Sequence, residues 1–322
     1  MKVVILDDYQ DAVRTCGLEG MLRGHDLTIH RDTVKGTDAL AERLKDAEAV
    51  VLIRQRTELS EELLERLPRL RLISQTARVG SHIPMEACTR RKIAVTAGGA
   101  PNPSTVELAW GLILAAMRRI PQEMEAMKRG KWQAAPMGRD LGGKTLGVYA
   151  LGRIGGRVAE LGKAFGMDVL AWGRASTAER ARKDGHRMAG SREAFFEQSD
   201  VVTIHLPLNK DTLGIVTQRD LGRMKPDALF VNTSRADIVE AGALVAALKA
   251  GRPGFAAVDV YEDEPVLGGR HPLLQMDNVV CTPHLGYATY ETLKDYLRLA
   301  IERVAAFAEG KPKDVVNPEA LV

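Results

Sequence analysis

Residues 144–166 have the sequence KTLGVYALGRIGGRVAELGKAFG, an apolar strand pattern that runs through a turn into a helical pattern. This is the context that a Gly-x-Gly-x-x-Gly dinucleotide-binding fingerprint requires. Gly152 would let the backbone approach a pyrophosphate, and Gly155 would let the helix pack closely on its strand. The N–H groups of Arg153 and Ile154 would face the phosphates at the positive end of the helix. The segment therefore predicts a dinucleotide site.

Two further positions refine this prediction. Ala150 stands at the first glycine of the fingerprint, a mild departure because that position mainly needs a small residue. A carboxylate usually follows about 20 positions later and accepts hydrogen bonds from the adenosine ribose. Here the next strand ends in Gly173 and Arg174, with Ser176 beyond. This end has room for a 2′-phosphate and a cation to pair with it, which favours NADP(H) over NAD(H).

Each of these interpretations has an alternative. The glycine-rich turn could only join a strand to a helix. Arg174 could stack on the adenine or point into solvent.

Short apolar strands alternate with helical patterns on both sides of this segment. Such alternation predicts βαβ units and a mainly parallel sheet covered by helices. Strands are predicted at 3–6, 27–30, 49–53, 70–74 and 93–96, and then at 145–150, 167–172, 200–204, 227–231, 255–258 and 279–281. Helices are predicted at 39–47, at 60–67 with Ser60 as N-cap, at 104–128 with an interruption at Pro121, and at 289–310.

The turn-rich segment GGAPNPS, residues 98–104, indicates a crossing between two domains. The fold prediction is α/β, with two doubly wound parallel-sheet domains. The first comprises residues 1–101 and 288–322, and the second, residues 102–287, is inserted in it. The second contains the glycine turn and is therefore the predicted dinucleotide-binding domain.

Composition argues against several classes of function. The 45 Lys and Arg residues against 42 Asp and Glu leave a net charge of +3, which gives no reason to expect nucleic acid or a membrane surface as partner. The three cysteines, Cys16, Cys88 and Cys281, lie far apart, which disfavours a disulfide framework or a thiolate metal site and fits a reducing compartment. The longest apolar run, 108–117, is about half of a membrane span. The sequence shows no signal-peptide pattern, so we expect a cytoplasmic location. We also expect no bound metal.

Three later segments each place a reactive side chain just past a predicted strand. They are LFVNTSRADIVE (229–240), AAVDVYEDEPV (256–266) and VVCTPHLGYAT (279–289), with Arg235, Glu264 and His284 in turn. The strand ends on one side of a doubly wound sheet share a crevice, so these side chains could converge. Taken alone, each residue could have an ordinary role instead. Arg235 could form a surface ion pair, Glu264 could belong to a common loop Glu-Pro dipeptide, and His284 could lie in a turn that only caps the sheet. The ordered combination is much more specific.

Together with the glycine turn, these motifs resemble the D-isomer-specific 2-hydroxyacid dehydrogenases, nearest in type to glyoxylate and hydroxypyruvate reductases. The resemblance covers nearly the whole chain. It implies a Rossmann cofactor domain inserted in a flavodoxin-like substrate domain, hydride transfer between NAD(P)H and a small 2-keto or 2-hydroxy acid, and a homodimer. The helix predicted from Ser104 offers a broad apolar surface, with Trp110 and Trp132 nearby, and this also favours a homodimer.

The chemistry gives each catalytic residue a role. Arg235 supplies a permanent charge and a planar donor fork for the substrate carboxylate and carbonyl oxygen. His284 is the expected general acid in reduction and base in oxidation. Glu264, the member of the Glu-Pro pair, would hold the second ring nitrogen and stabilise the imidazolium; it is preferred to Glu262 and Asp263 by the resemblance.

The resemblance also implies contacts with the cofactor and the substrate. Asp259 would contact the nicotinamide carboxamide, or be a structural carboxylate instead; His205 would line the cofactor cleft, or be an ordinary buried histidine. Further implied cofactor residues are Thr105, Pro207, Thr233 and Ser234. The register of Thr105 is open because NPSTVEL (102–108) is one residue shorter than usual.

The substrate segment TARVGSHIP (76–84) departs from the family's Gly-x-Gly-x-Asp pattern. Backbone donors at Arg78, Val79 and Gly80 could still bind the substrate carboxylate, since an N–H needs no particular side chain. Arg54 and Arg56 could bind a second acidic group, or be ordinary surface cations.

Two alternative functions stay open at this point. One is a phosphoglycerate dehydrogenase-like enzyme. The other is a non-catalytic, dinucleotide-sensing protein like the related corepressors, which would have no need of the acid–base residues.

Overall fold

The computed structural model describes residues 1–99 and 103–322. The chain divides into two compact units, Met1–Asn102 with Ala288–Val322 and Pro103–Tyr287. The predicted domain boundary at 101/102 and the centre of the GGAPNPS turn lie outside the described residues. The prediction of two parallel-sheet α/β domains is confirmed.

The first unit is built on a parallel sheet with the strand order β2-β1-β3-β4-β5, which is the flavodoxin-like order. Its central strands are buried on both faces and rich in Val, Ile and Leu, as expected when helices cover a parallel sheet. The elements, numbered along the chain, are β1 Lys2–Ile5, α1 Ala12–Thr15, β2 Asp26–Ile29, α2 Thr37–Leu44, β3 Ala49–Leu52, α3 Glu61–Glu65, β4 Leu72–Thr76, α4 Met85–Arg90 and β5 Ala94–Gly98.

The prediction that Ser60 caps a helix is confirmed. Its hydroxyl accepts a hydrogen bond from the N–H of Leu63 in α3. Short 3₁₀ turns occur at Glu19–Leu22 and Pro318–Leu321.

The second unit is built on a parallel sheet with the order β12-β11-β10-β9-β6-β7-β8. The order in which strands are added reverses between β9 and β6, which makes this pair the switch point where doubly wound sheets bind ligands. The elements are α5 Ser104–Met117, α6 Ile120–Lys128, β6 Thr145–Tyr149, α7 Arg153–Ala164, β7 Asp168–Trp172, α8 Ala175–Asp184, β8 Arg187–Met188, α9 Arg192–Gln198, β9 Val201–Ile204, α10 Gln218–Arg223, β10 Leu229–Asn232, α11 Ala243–Lys249, β11 Phe255–Val258 and β12 Val279–Cys281. Turns of 3₁₀ helix lie at Ala236–Ile238 and Pro272–Gln275.

The last long helix, α12 Tyr290–Ala308, belongs to the first unit and packs on β4. Its buried face includes Leu297, Ile301 and Val304. It begins at Thr289, whose hydroxyl accepts from the N–H of Thr292, as the predicted helix at 289–310 requires.

The predicted interruption near Pro121 is a full break between α5 and α6. Arg119 between them has a left-handed φ of 55°, and Pro121 lies in the first turn of α6, where its missing N–H costs nothing. The expectation that Trp110 belongs to a surface was wrong. Trp110 is buried and stacks on Phe165, with ring centroids 4.7 Å apart, because most of α5 lies in the core of the second unit.

Within the described residues, none of the helices has both the length and the apolar character needed to cross a bilayer.

Candidate active site

Three adjacent parallel strands bring the predicted catalytic residues to one edge of the second sheet. In the register, Asn232 of β10 pairs with Val258 of β11, and Val258 pairs with Cys281 of β12. Arg235 and His284 each lie three residues beyond this row. Since neighbouring strands are about 4.8 Å apart, the backbones of β10 and β12 are separated by about 10 Å. Both residues therefore follow the same edge of the sheet.

His284 is hydrogen-bonded to Glu264. The distance between Nδ1 of the ring and Oε2 of the carboxylate is 2.6 Å, and both side chains are partly exposed. The other carboxylate oxygen, Oε1, accepts a hydrogen bond from the N–H of Tyr261 at 2.9 Å, which fixes the carboxylate plane. Tyr287 contacts the ring of His284 edge-on, with centroids 5.4 Å apart. The ring is therefore held at Nδ1.

Asp259 organises the segment that carries His284, residues 282–287, which we name the histidine loop. Its carboxylate is completely buried and accepts the N–H groups of Leu285 and Gly286 at 2.7 and 2.9 Å and the hydroxyl of Thr282 at 2.6 Å. Burial raises the pKa of Asp259, while these hydrogen bonds oppose the rise. These contacts hold the loop while His284 has a left-handed φ of 52°.

The start of α5 holds the same loop from the other side. The hydroxyls of Ser104 and Thr105 donate to the carbonyl oxygen of Gly286 at 2.9 and 2.7 Å. Thr105, predicted to lie near the nicotinamide, is thus directly connected to the histidine loop.

Arg235 begins the 3₁₀ turn after β10, and its position is fixed by Asn232. The buried side chain of Asn232 donates to the carbonyl oxygen of Arg235 at 2.8 Å and accepts the N–H of Ser234 at 3.0 Å. The guanidinium of Arg235 is half-buried and donates from Nη1 to the carbonyl oxygen of Ser234 at 2.7 Å. The turn thus presents a cation beside the end of β11.

The glycine turn lies between β6 and α7, at the switch point. A side chain at Gly155 would put its Cβ 2.0 Å from the carbonyl oxygen of Ala150, so only glycine lets the helix approach its strand. At Gly152, by contrast, no described atom lies within 4 Å of an added Cβ, which leaves space in front of the first turn of α7. Ala150 itself has a left-handed φ of 74°, the conformation for which the fingerprint normally uses glycine.

The end of β7 carries no carboxylate. Gly173 has a φ of 156°, and Arg174 follows as the N-cap of α8. The Arg174 side chain is 71% exposed, and its Nη2 lies 3.5 Å from Asp211 Oδ2. Ser176 is exposed in the first turn of α8.

His205 and Pro207 follow β9, next to the glycine turn. Burial lowers the pKa of His205 to about 4, so its ring is neutral at pH 7, and Nε2 lies 3.0 Å from the hydroxyl of Thr203. Pro207 is exposed, and its carbonyl oxygen accepts from Thr212 at 2.6 Å. Thr233 is buried, and among the described residues its hydroxyl has no hydrogen-bond partner.

The remaining predicted residues belong to the first unit, where the segment 77–82 follows β4. Arg78 is exposed, while Val79 and Gly80 are half-buried. The assignment of these three residues to substrate binding stays a prediction. Arg56 has a role within the unit, because it donates to the carbonyl oxygen of Asp7 at 2.6 Å and lies 4.6 Å from the ring centroid of Tyr9.

Sequence reasoning missed the residues that hold the site in shape. Asn232 donates to the carbonyl oxygen of Arg235, and Thr282 donates to Asp259. The N–H of Tyr261 donates to the carboxylate of Glu264. The sequence did contain one sign of such a role: Asn232 is a polar residue at the last position of a buried strand, β10. Among the described residues, none of the His, Cys, Asp and Glu side chains form a group of three or more that could hold a metal ion.

The chain is similar in sequence and in fold to known enzymes. The family model for the D-isomer specific 2-hydroxyacid dehydrogenase NAD binding domain matches residues 110–286. A glyoxylate reductase of Aeropyrum pernix is 42% identical over 80% of this chain and 79% of its own length. A D-3-phosphoglycerate dehydrogenase of Archaeoglobus fulgidus is 36% identical over 92% of this chain and 56% of its own length.

A solved structure, the phosphoglycerate oxidoreductase of Vibrio cholerae O395, superposes with a TM-score of 0.92 at 47% identity, covering 96% of this chain and 99% of the other. The chain belongs to the D-isomer-specific 2-hydroxyacid dehydrogenase family of nicotinamide-dependent oxidoreductases, which act on small 2-hydroxy and 2-keto acids.

Proposed function

We propose that the protein is a D-specific reductase of the glyoxylate or hydroxypyruvate type, that it uses NADPH, and that Arg235, Glu264 and His284 are its catalytic residues. The observation that supports this most is the 2.6 Å hydrogen bond between His284 Nδ1 and Glu264, on the sheet edge that also carries Arg235. A carboxylate that holds one ring nitrogen prepares the other to transfer a proton.

In the proposed mechanism the chain's residues control charge and protons. Arg235 binds the substrate carboxylate and polarises the 2-keto oxygen, on which negative charge develops during reduction. His284 Nε2 donates its proton to that oxygen, and Glu264 stabilises the ring while it is protonated. In oxidation His284 removes the hydroxyl proton.

The dinucleotide fits the residues present. When bound, the nicotinamide supplies the hydride for reduction. The N–H groups of Arg153 and Ile154, in the first turn of α7, have no acceptor within the helix and would hold the pyrophosphate. The open space at Gly152 and the hydroxyl of Thr233, which has no hydrogen-bond partner in the described part of the chain, support binding along this edge. We assign Ala150, Gly155, Thr105, His205, Pro207, Ser234 and Asp259 to the surrounding cofactor site.

Preference for NADP(H) is supported by the end of β7. Gly173 brings no negative charge there, while Arg174 is exposed and only weakly paired with Asp211. The guanidinium can therefore exchange the carboxylate for a 2′-phosphate, to which Ser176 can donate a hydrogen bond.

The direct test is a steady-state assay of the purified protein with a panel of 2-keto acids and either NADPH or NADH. We expect turnover of glyoxylate or hydroxypyruvate, with a higher kcat/KM for NADPH. Absence of turnover with every member of the panel and both cofactors would contradict the proposal.

A second candidate substrate is 3-phosphoglycerate, because the Vibrio cholerae structure and the Archaeoglobus fulgidus relative carry that name. Oxidation of 3-phosphoglycerate with NADP⁺ or NAD⁺, at a kcat/KM above that for any unphosphorylated acid, would favour it.

We further propose that the protein is a cytoplasmic homodimer. Exposed apolar side chains lie on α6 and the segment after it, a set that we name the α6 patch: Ile120, Met124, Met127, Trp132 and Met137. A second copy of the chain would remove this apolar surface from water. Free cysteines at Cys16, Cys88 and Cys281 fit a reducing compartment.

A further inference from the structure

The side chain of Gln75 in β4 connects both ends of the segment 77–82, which we name the β4 loop. Its Nε2 donates to the carbonyl oxygen of Thr76, just before the loop, at 2.7 Å, and to that of Arg54, after β3, at 2.9 Å. Its Oε1 lies 3.2 Å from Nε2 of His82, the last residue of the loop. Gln75 and Thr76 are completely buried, and His82 is 7% exposed. One buried amide therefore fixes where the loop starts and where it ends.

The hydrogen bonds of Gln75 also determine the state of the His82 ring. Both hydrogens of the amide are donated to carbonyl oxygens, so Oε1 can only accept, and the hydrogen between the two side chains belongs to His82 Nε2. Burial lowers the pKa of His82 to about 4, so the ring is neutral at pH 7 and Nδ1 carries no hydrogen. Nδ1 is buried, and among the described residues it has no hydrogen-bond partner. The hydrogen bond that holds the ring is thus the one from Nε2 to Gln75.

The ring of His82 supports the middle of the β4 loop. A Cβ added to Gly80 would lie 3.2 Å from His82 Nδ1, so the backbone of Gly80 packs directly on the ring. The loop starts at Ala77 with a left-handed φ of 59°, which residues with a side chain seldom adopt. Such a backbone persists where the surrounding contacts hold it, and Gln75 and His82 supply contacts at both ends.

The β4 loop carries the three predicted substrate donors, the N–H groups of Arg78, Val79 and Gly80. Among the described residues, these groups donate to no backbone carbonyl oxygen. Groups that bind a substrate lose affinity when the residues that support them let them move. We infer that Gln75 and His82 are positioning residues, which hold these N–H groups in the arrangement that binds the substrate carboxylate. This inference rests on the proposed reduction of a 2-keto acid.

The test is the steady-state kinetics of wild type, His82→Asn and His82→Gln with NADPH and the best keto acid of the panel. The amide of glutamine can reach Gln75 as His82 Nε2 does, whereas that of asparagine is too short. His82→Asn should raise the KM of the keto acid about five- to tenfold, the effect of one lost hydrogen bond, and leave kcat within about twofold. His82→Gln should restore most of the wild-type KM. The Kd of NADPH should stay the same in both variants, because the glycine turn lies in the second unit.

His30→Asn is the matched control. His30 is a partly buried histidine of the same unit, directly after β2 and outside the β4 loop. Its substitution should leave KM and kcat unchanged.

Two further measurements keep the result clear if His82→Asn folds poorly. Gln75→Met removes the acceptor of the His82 hydrogen bond and should raise KM at least as far. Amide hydrogen exchange needs no activity: the N–H groups of Leu59 and Ile83 donate to the carbonyl oxygens of His82 and Gly80 at 2.9 and 3.3 Å. They should exchange faster in His82→Asn and Gln75→Met than in wild type and His82→Gln.

The inference is overturned if His82→Asn or Gln75→Met keeps the wild-type KM, if kcat falls as far as KM rises, or if His82→Gln is no better than His82→Asn. A wild type that reduces no keto acid contradicts the proposed function instead. The exchange rates of Leu59 and Ile83 then still decide whether Gln75 and His82 hold the β4 loop.

Discussion

At the scale of single residues, Glu264 connects the backbone to the general acid. It accepts the N–H of Tyr261 with one oxygen and the His284 ring with the other, so its charge and its geometry both act on the ring. Glu264→Gln keeps the shape but removes the charge and can present an N–H to Nδ1. We expect kcat to fall by roughly 10²-fold, within the usual range for general acid–base catalysis, while the Kd of NADPH changes little.

The control for this variant is Glu262→Gln. Glu262 lies on the same loop but pairs with His271 at 2.9 Å. It should leave kcat nearly unchanged. Equal losses of kcat in the two variants would mean that any change on this loop lowers activity, and that the carboxylate of Glu264 has no specific role.

His82 makes stability depend on pH. Burial is the main cause that lowers its pKa to about 4, with the charge of Arg54 adding to the effect, against about 6.5 in the unfolded chain. Between these values the unfolded chain binds more protons, so stability is complete above pH 6.5 and is lost as the pH falls towards 4. At pH 5 this loss is about 2 kcal/mol.

The measurement is the free energy of unfolding of wild type and His82→Asn at pH 7.5 and pH 5. The variant should show the smaller decrease on acidification. Identical decreases would assign the acid sensitivity to other groups, such as His205.

The sequence could predict where Arg235 and His284 lie in the fold, because each follows an apolar strand and parallel strands end at one edge. Their catalytic role stays a prediction. The close contact between Gly173 and Thr177 could not be predicted from the sequence, because it depends on the φ of Gly173 and on how α8 starts. The sequence drew attention to Asp259 but could not predict its hydrogen bonds with Leu285 and Gly286, because these depend on the path of the histidine loop.

At the scale of elements, the pairing of β6 with α7 depends on two glycines with different surroundings. Gly155→Ala puts a methyl group 2.0 Å from the carbonyl oxygen of Ala150 and should destabilise the fold by about 1–3 kcal/mol. Gly152→Ala meets open space in the described structure, so it should fold normally but weaken NADPH binding.

Thermal unfolding and NADPH titration of both variants check this contrast. A Gly152→Ala protein that binds NADPH as tightly as the wild type would argue against a close approach of the pyrophosphate at that turn.

Sequence patterns located the strands other than β8 to within two residues, because buried parallel strands are continuous apolar runs. They gave no bounds for several of the helices: α1, α4, α8, α9, α10 and α11. They missed β8, whose two residues, Arg187 and Met188, are too few to form a pattern. They also wrongly predicted that α5 exposes its apolar side chains. The sequence of an evenly apolar helix does not indicate whether it packs against its own chain or against another.

At the scale of the whole molecule, the α6 patch predicts self-association. Light scattering coupled to size exclusion should give twice the mass of the chain. Met127→Glu with Trp132→Glu should shift it towards the monomer, because two charges would be placed in the apolar contact. These side chains are 64% and 80% exposed.

Leu213→Glu is the matched control, since Leu213 is 65% exposed and lies outside the α6 patch. It should leave the mass unchanged. A wild type that is monomeric at micromolar concentration would contradict the proposed homodimer.

The central claim is that His284, oriented by Glu264, transfers the proton in hydride reduction of a 2-keto acid. Its most direct test is the kcat of His284→Ala with NADPH and the best keto acid of the panel, measured together with the Kd of NADPH. We predict that kcat falls by about 10²- to 10⁴-fold while NADPH binds as in the wild type. A variant that binds NADPH normally and keeps wild-type kcat would contradict the account.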